Sequence, residues 1–86
     1  MIYVDNMSPC ATSQKWPYQE SCHLFADDTE ELKVFARSIG LYDSWIQKAT
    51  GFIHYDLTGS KRWLAIRCGA VPVNHRFVAR FIKERK

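Results

Sequence analysis

Eighty-six residues, 47% of them hydrophobic and 14% aromatic, make one domain with enough apolar mass for a packed core. That composition excludes a disordered chain, and no run approaches the ~20 apolar residues of a membrane-spanning helix. The net charge of +3 is unevenly divided, −4 over residues 1–60 and +7 over residues 61–86, an asymmetry that points to an anionic partner or to a solvated basic tail.

Taken along the chain, Ile2-Tyr3-Val4 reads as a first strand that stops at Asp5-Asn6. Residues 7–20 read as a long loop, because Ser8-Pro9, Ser13 and Trp16-Pro17 break any periodicity. Loops of that length are often functional. Ser21 to Ala26 reads as a second strand.

The clearest helix follows. Asp28 suits its N-cap with Glu31 three residues on, and Leu32, Phe35, Ala36 and Ile39 make one apolar stripe. Gly40 and Leu41 suit a glycine-terminated end. Tyr42 to Gly51 is irregular, with a short helical turn around Trp45 compatible with it.

Phe52 to Leu57 reads as a third strand, rich in residues that suit sheets. Thr58-Gly59-Ser60 turns it into a second helix ending near Gly69. Ala70 to Val73 reads as a fourth, short strand, and Asn74 caps a basic last helix over 75–86. Its stripe is Phe77, Val78, Phe81 and Ile82. The expected fold is therefore a small α/β domain spanning 1–86, with a mostly parallel four-stranded sheet and three helices. Its third and fourth strands form a β-α-β unit.

Polar groups gather at the expected strand ends: Asp5, Asp27, Asp56 with Thr58, and Asn74. Ligands of parallel α/β sheets bind at such a rim, although turn-forming and capping roles also account for Asp, Asn and Thr. The densest stretch is His54-Tyr55-Asp56-Leu57-Thr58-Gly59-Ser60-Lys61-Arg62. Strand alternation puts His54 and Asp56 on one face and Tyr55 on the other.

Thr58-Gly59-Ser60 offers backbone N–H groups at a helix start, a natural phosphate seat, with Lys61 and Arg62 beside it. The plain alternative is a capped helix with two surface bases. His23 is a second candidate. If it shares a face with His54, the two form an acid–base pair suited to a phosphate ester.

Two metal sets are conceivable, Cys22 and His23 with His54, or the carboxylates Asp5, Asp27 and Asp56. Neither has diagnostic spacing, so no metal ligand is assigned and no cofactor is expected, a divalent ion staying open. Trp45 and Gln47 suit a ligand wall.

The three cysteines, Cys10, Cys22 and Cys68, fall at no metal or redox spacing. Together with the start at Met1, which reads directly into a strand, they lead to the expectation of a cytoplasmic protein with free thiols. Twelve aromatic rings are compatible with a homodimer.

The run of Ile2-Tyr3-Val4-Asp5, Cys22-His23-Leu24 with Ala26-Asp27, Glu31-Leu32, Phe35-Ala36, Ile39-Gly40-Leu41, Trp45 with Gln47, His54 to Thr58, Lys61-Arg62 and Gly69-Ala70 resembles a small bacterial and phage family. It is known as domain of unknown function 4031. The resemblance covers nearly the whole chain. The family often has histidine where this chain has Lys33. The resemblance brings no reaction. It implies a stand-alone bacterial or phage protein, a context in which a nucleotide-like ligand and a part in phage–host conflict are reasonable.

Three functions are thus expected in turn. The first is binding of a nucleotide-like or phosphate-bearing ligand through Asp5, Trp45, Gln47, Tyr55, Thr58, Gly59, Ser60, Lys61 and Arg62, with sequestration or hydrolysis. The second is a small phosphodiesterase or nuclease using His23, His54 and Asp56, or Asp5, Asp27 and Asp56. The third is a nucleic-acid or host-protein interaction module using the basic last helix.

Overall fold

The computed structural model describes residues 1–14, 16–49 and 51–84. Its elements are β1 (Ile2–Val4), β2 (Ser8–Pro9), β3 (Glu20–Ala26), α1 (Thr29–Ser38), a 3-10 turn (Asp43–Trp45), β4 (Gln47–Ala49), β5 (Phe52–Leu57), α2 (Gly59–Arg67), β6 (Val71–Pro72) and α3 (His75–Glu84). The expectation for positions 85 and 86 lies outside the described residues.

The domain is α/β with three helices, as the sequence reading has it, but the sheet corrects that reading. It is six-stranded and mixed, in the order β4-β5-β3-β1-β6, with β2 pairing off this path to β3. Among the described residues only β1 and β6 pair in parallel, whereas β1–β3, β2–β3, β3–β5 and β4–β5 are antiparallel. The β5-α2-β6 segment does join strands of one direction, but β3 and β1 lie between them.

The helix ends follow the local rules closely. Asp28 Oδ2 accepts from the Glu31 N–H at the start of α1. At its end Gly40 takes φ +87°. The Leu41 and Gly40 N–H groups then donate to the Ala36 and Arg37 carbonyls, which is a Schellman closure. Gly69, at φ +109°, repeats that closure for α2, with Ala70 and Gly69 donating to Ala65 and Ile66.

Alternation divides the sheet into two unlike faces. On one, Ile2, Val4, Cys22, Leu24, Tyr55 and Leu57 form the main core with Leu32 and Ala36 of α1 and Ala65 of α2. On the other, Phe25 and Phe52 meet Val78 and Phe81 of α3, with Tyr3, Val73 and Ile82 against them. Burying each such side chain contributes roughly 1.5–3 kcal/mol. That second face is aromatic only in part, and the remainder is polar.

Candidate functional site

The polar part of the second face follows from strand register. His23 on β3 lies opposite Asp56 on β5, and the Asp5 N–H donates to the His23 carbonyl from the other side. Directly opposed residues share a face. The end of β1, the middle of β3 and the end of β5 therefore set Asp5, His23 and Asp56 in a row. His54, two residues before Asp56, joins them, its ring centroid 4.9 Å from that of His23.

Each imidazole has its Nδ1 turned to an acceptor. His23 Nδ1 lies 2.7 Å from Asp5 Oδ2, and the His23 backbone N–H donates to Asp5 Oδ1 at 2.6 Å. A carboxylate only accepts, so Nδ1 carries hydrogen and Nε2 is left for other partners. His54 Nδ1 lies 3.0 Å from the Phe52 carbonyl, and the same logic leaves its Nε2 facing Asp56 Oδ1 at 3.5 Å. The His54 ring also stacks on Phe52 at 4.7 Å.

Burial and charge complete the picture. Asp5 is 1% exposed and His54 7%, while the His23 and Asp56 side chains reach solvent. The hydrogen bond to Asp5, aided by the charges of Asp5 and Asp56 and opposed by burial, holds His23 above its ordinary pKa. Hydrogen bonding from His54 and the two imidazole charges hold the Asp56 carboxyl below its usual range, although burial opposes them.

A groove of about 720 Å³ opens at the carboxyl end of β5, and Asp56 lines it. Trp16, Pro17 and Tyr18 of the 10–19 loop contribute to its lining, as do Trp45, Leu41 and Ser44; Gln47, Thr58, Ser60 and Lys61 supply polar groups. The loop is tied to the sheet by Trp16 Nε1, which donates to the Glu20 carbonyl at 3.3 Å, and Trp16 packs edge-on to Tyr18. Trp45 packs likewise on Tyr42.

The structure thus brings together His23, His54, Asp56 and Asp5, and sets Trp45, Gln47, Thr58, Ser60 and Lys61 around the adjoining groove. Other expected residues lie elsewhere or are locally engaged. Tyr55 faces the main core and is 1% exposed. Gly59 opens α2, and Arg62 Nε donates to the Asp5 carbonyl at 2.8 Å, fixing the end of β1. Thr58 Oγ1 accepts from the Lys61 N–H as a helix cap. Lys61 Nζ donates to the Ile39 carbonyl at the end of α1, 2.6 Å away.

The three-aspartate set does not form. β3 runs against β1 and β5, which carries Asp27 to the opposite end of the sheet, where the Tyr3 hydroxyl donates to it. The Cys22 set fails as well. Cys22 is fully buried on the other face, and that burial pushes its thiol up to about 12. Among the groove residues, Pro17 and Tyr18 carry no ligand pattern in the sequence. The signal available was the length of their loop, with two large aromatics inside it.

Fold and site define a small mixed α/β domain that carries a histidine–carboxylate cluster on an open sheet face. The chain belongs to the family described as protein of unknown function (DUF4031), whose model matches residues 2–85. No curated protein and no solved structure matches it. No described helix is long and apolar enough to cross a membrane.

Proposed function

We propose that the chain binds a nucleotide-like phosphate ester in the groove and hydrolyses it at the histidine–carboxylate cluster. The observation that carries this reading is the contact of His23 and His54. Both rings have Nδ1 held by an acceptor, and they stand beside Asp56, the residue shared with the aromatic groove.

Trp16, Tyr18 and Trp45 offer flat faces for a base, and Gln47 offers amide hydrogen bonds. Lys61 spends one donor on Ile39, and an ammonium has three. Two remain for a phosphate, next to the hydroxyls of Thr58 and Ser60. At the Asp56 end, two imidazole Nε2 atoms and a carboxylate form a set able to activate water for attack on phosphorus. Asp5 fixes His23 from behind and is too buried to meet the ligand.

The test is a turnover screen over nucleoside monophosphates, cyclic nucleotides, dinucleotides and short oligonucleotides, followed by variants on whichever is cleaved. His54→Ala is expected to lower kcat/KM by about 100-fold or more, and Trp45→Ala to act mainly through KM. Cleavage unaffected by both His54→Ala and Asp56→Ala, or no cleavage of any of them, would overturn the reading.

A further inference from the structure

We infer that His23, His54 and Asp56 hold one divalent transition-metal ion of the zinc class, through imidazole Nε2 of each histidine and the Asp56 carboxylate. The inference deepens the hydrolase reading, since it says how the same cluster activates water. One donor atom from each of the three residues lies within 4.8 Å of the others, the only such group among the described residues.

Three observations separate this group from a chance meeting of polar side chains. First, metal-binding histidines commonly give their second ring nitrogen to a carboxylate or carbonyl, which orients the ring and raises its basicity. Both forms occur here, with Asp5 behind His23 and the Phe52 carbonyl behind His54.

Second, His54 is 7% exposed, and its Nε2 faces Asp56 Oδ1 at 3.5 Å. With Nδ1 turned to the Phe52 carbonyl, His54 aims its other ring nitrogen at the Asp56 carboxylate, an arrangement that a cation set between them would bridge. Third, Asp5 holds His23 by the main chain as well as by the ring, so the ring is preset before any ion arrives.

The donor set selects the ion. Two imidazoles and one carboxylate suit zinc, iron or manganese, whereas magnesium and calcium prefer all-oxygen sites. Tetrahedral bonds of about 2.0–2.2 Å put donors on the order of 3.3 Å apart. A turn of the Asp56 side chain, about a third of which is exposed, is the natural way to close the difference. Three protein ligands leave a position for water. The net charge of such a centre is positive, which suits a phosphate ester entering from the groove.

The experiment is a calorimetric titration of chelator-treated protein with Zn²⁺, read in parallel by the visible absorption of Co²⁺. One ion per chain is expected, with Mg²⁺ unable to compete. His54→Gln and Asp56→Asn should each weaken binding by about 100-fold or more. Asp5→Asn should do so by ~10–100-fold, and His75→Ala should leave binding unchanged. Circular dichroism checks that each variant folds, and His23→Gln replaces any that does not.

Absence of Zn²⁺ and Co²⁺ binding, or binding that survives the His54 and Asp56 changes, would overturn the metal site. Turnover that persists in chelator would then leave the hydrolase reading standing. Stoichiometric metal binding without turnover of any substrate would do the reverse.

Discussion

At the scale of single residues the cluster is organised by Asp5. Its carboxylate takes two hydrogen bonds from His23, and its carbonyl takes one from Arg62. The charged and titratable groups that act on the His23 ring are Asp5 from the end of β1, with Asp56 and the contacting His54 from β5. This has a consequence for pH in the metal-free protein. The folded pKa of His23 is raised above 6.5, so its contribution to stability is fully present below about 6.5 and is lost as pH rises through the folded value. The folded pKa of Asp56 is depressed below 3.8, so its contribution is present above that value and is lost as pH falls through the folded one. Urea midpoints in chelator should therefore decline as pH rises from about 6.5 through the folded value. Asp5→Asn should remove most of that decline. A slope unchanged by Asp5→Asn would mean that the carboxylate does not set the His23 pKa.

At the scale of elements, α3 decides how much of the second sheet face stays open. It covers Phe25 and Phe52 with Val78 and Phe81. Its start is fixed by Asn74 Oδ1, which accepts from the Phe77 N–H at 2.9 Å. Asn74→Ala should cost about 1 kcal/mol in a denaturant melt, with little effect on metal binding, because His54 is positioned by the Phe52 carbonyl on β5. The helices were the legible part of the sequence: their caps, apolar stripes and closing glycines are local signals that survive any tertiary arrangement. The missed strands were not legible. β2 is two residues with a proline, and β4 is Gln47-Lys48-Ala49. Neither alternates apolar with polar, and both exist only because a neighbour offers backbone partners. Strand direction was equally hidden, since the period-two pattern of β3 is the same for a parallel or antiparallel neighbour. That one unknown decided the carboxylates: with β3 reversed, Asp27 leaves the site and His23 takes its place beside Asp5 and Asp56.

At the scale of the whole molecule, the histidine–carboxylate cluster shares a sheet face with one basic helix. The polar cluster and α3 occupy the same face, and α3 turns Arg76, Arg80 and Lys83 outward along one shallow surface. Of the bases in the C-terminal half, Arg76, Arg80 and Lys83 thus stand on α3 with Glu84, next to a site whose own side chains are two imidazoles and two carboxylates. On the proposed reading, a mononucleotide in the groove would be read by Trp16, Trp45 and Lys61 without α3, and a longer strand leaving the cluster across this face would have its phosphates met by the α3 bases. Oligonucleotides should then bind more tightly than dinucleotides at low salt. The excess should fade as salt rises, because each phosphate contact releases condensed counterions, with a slope of about −0.7 per contact for single strands. Replacing Arg76 and Arg80 together by glutamate should abolish that excess and leave dinucleotide binding intact. Equal affinity for long and short ligands at every salt concentration would confine recognition to the groove and make the basic helix a solvated surface.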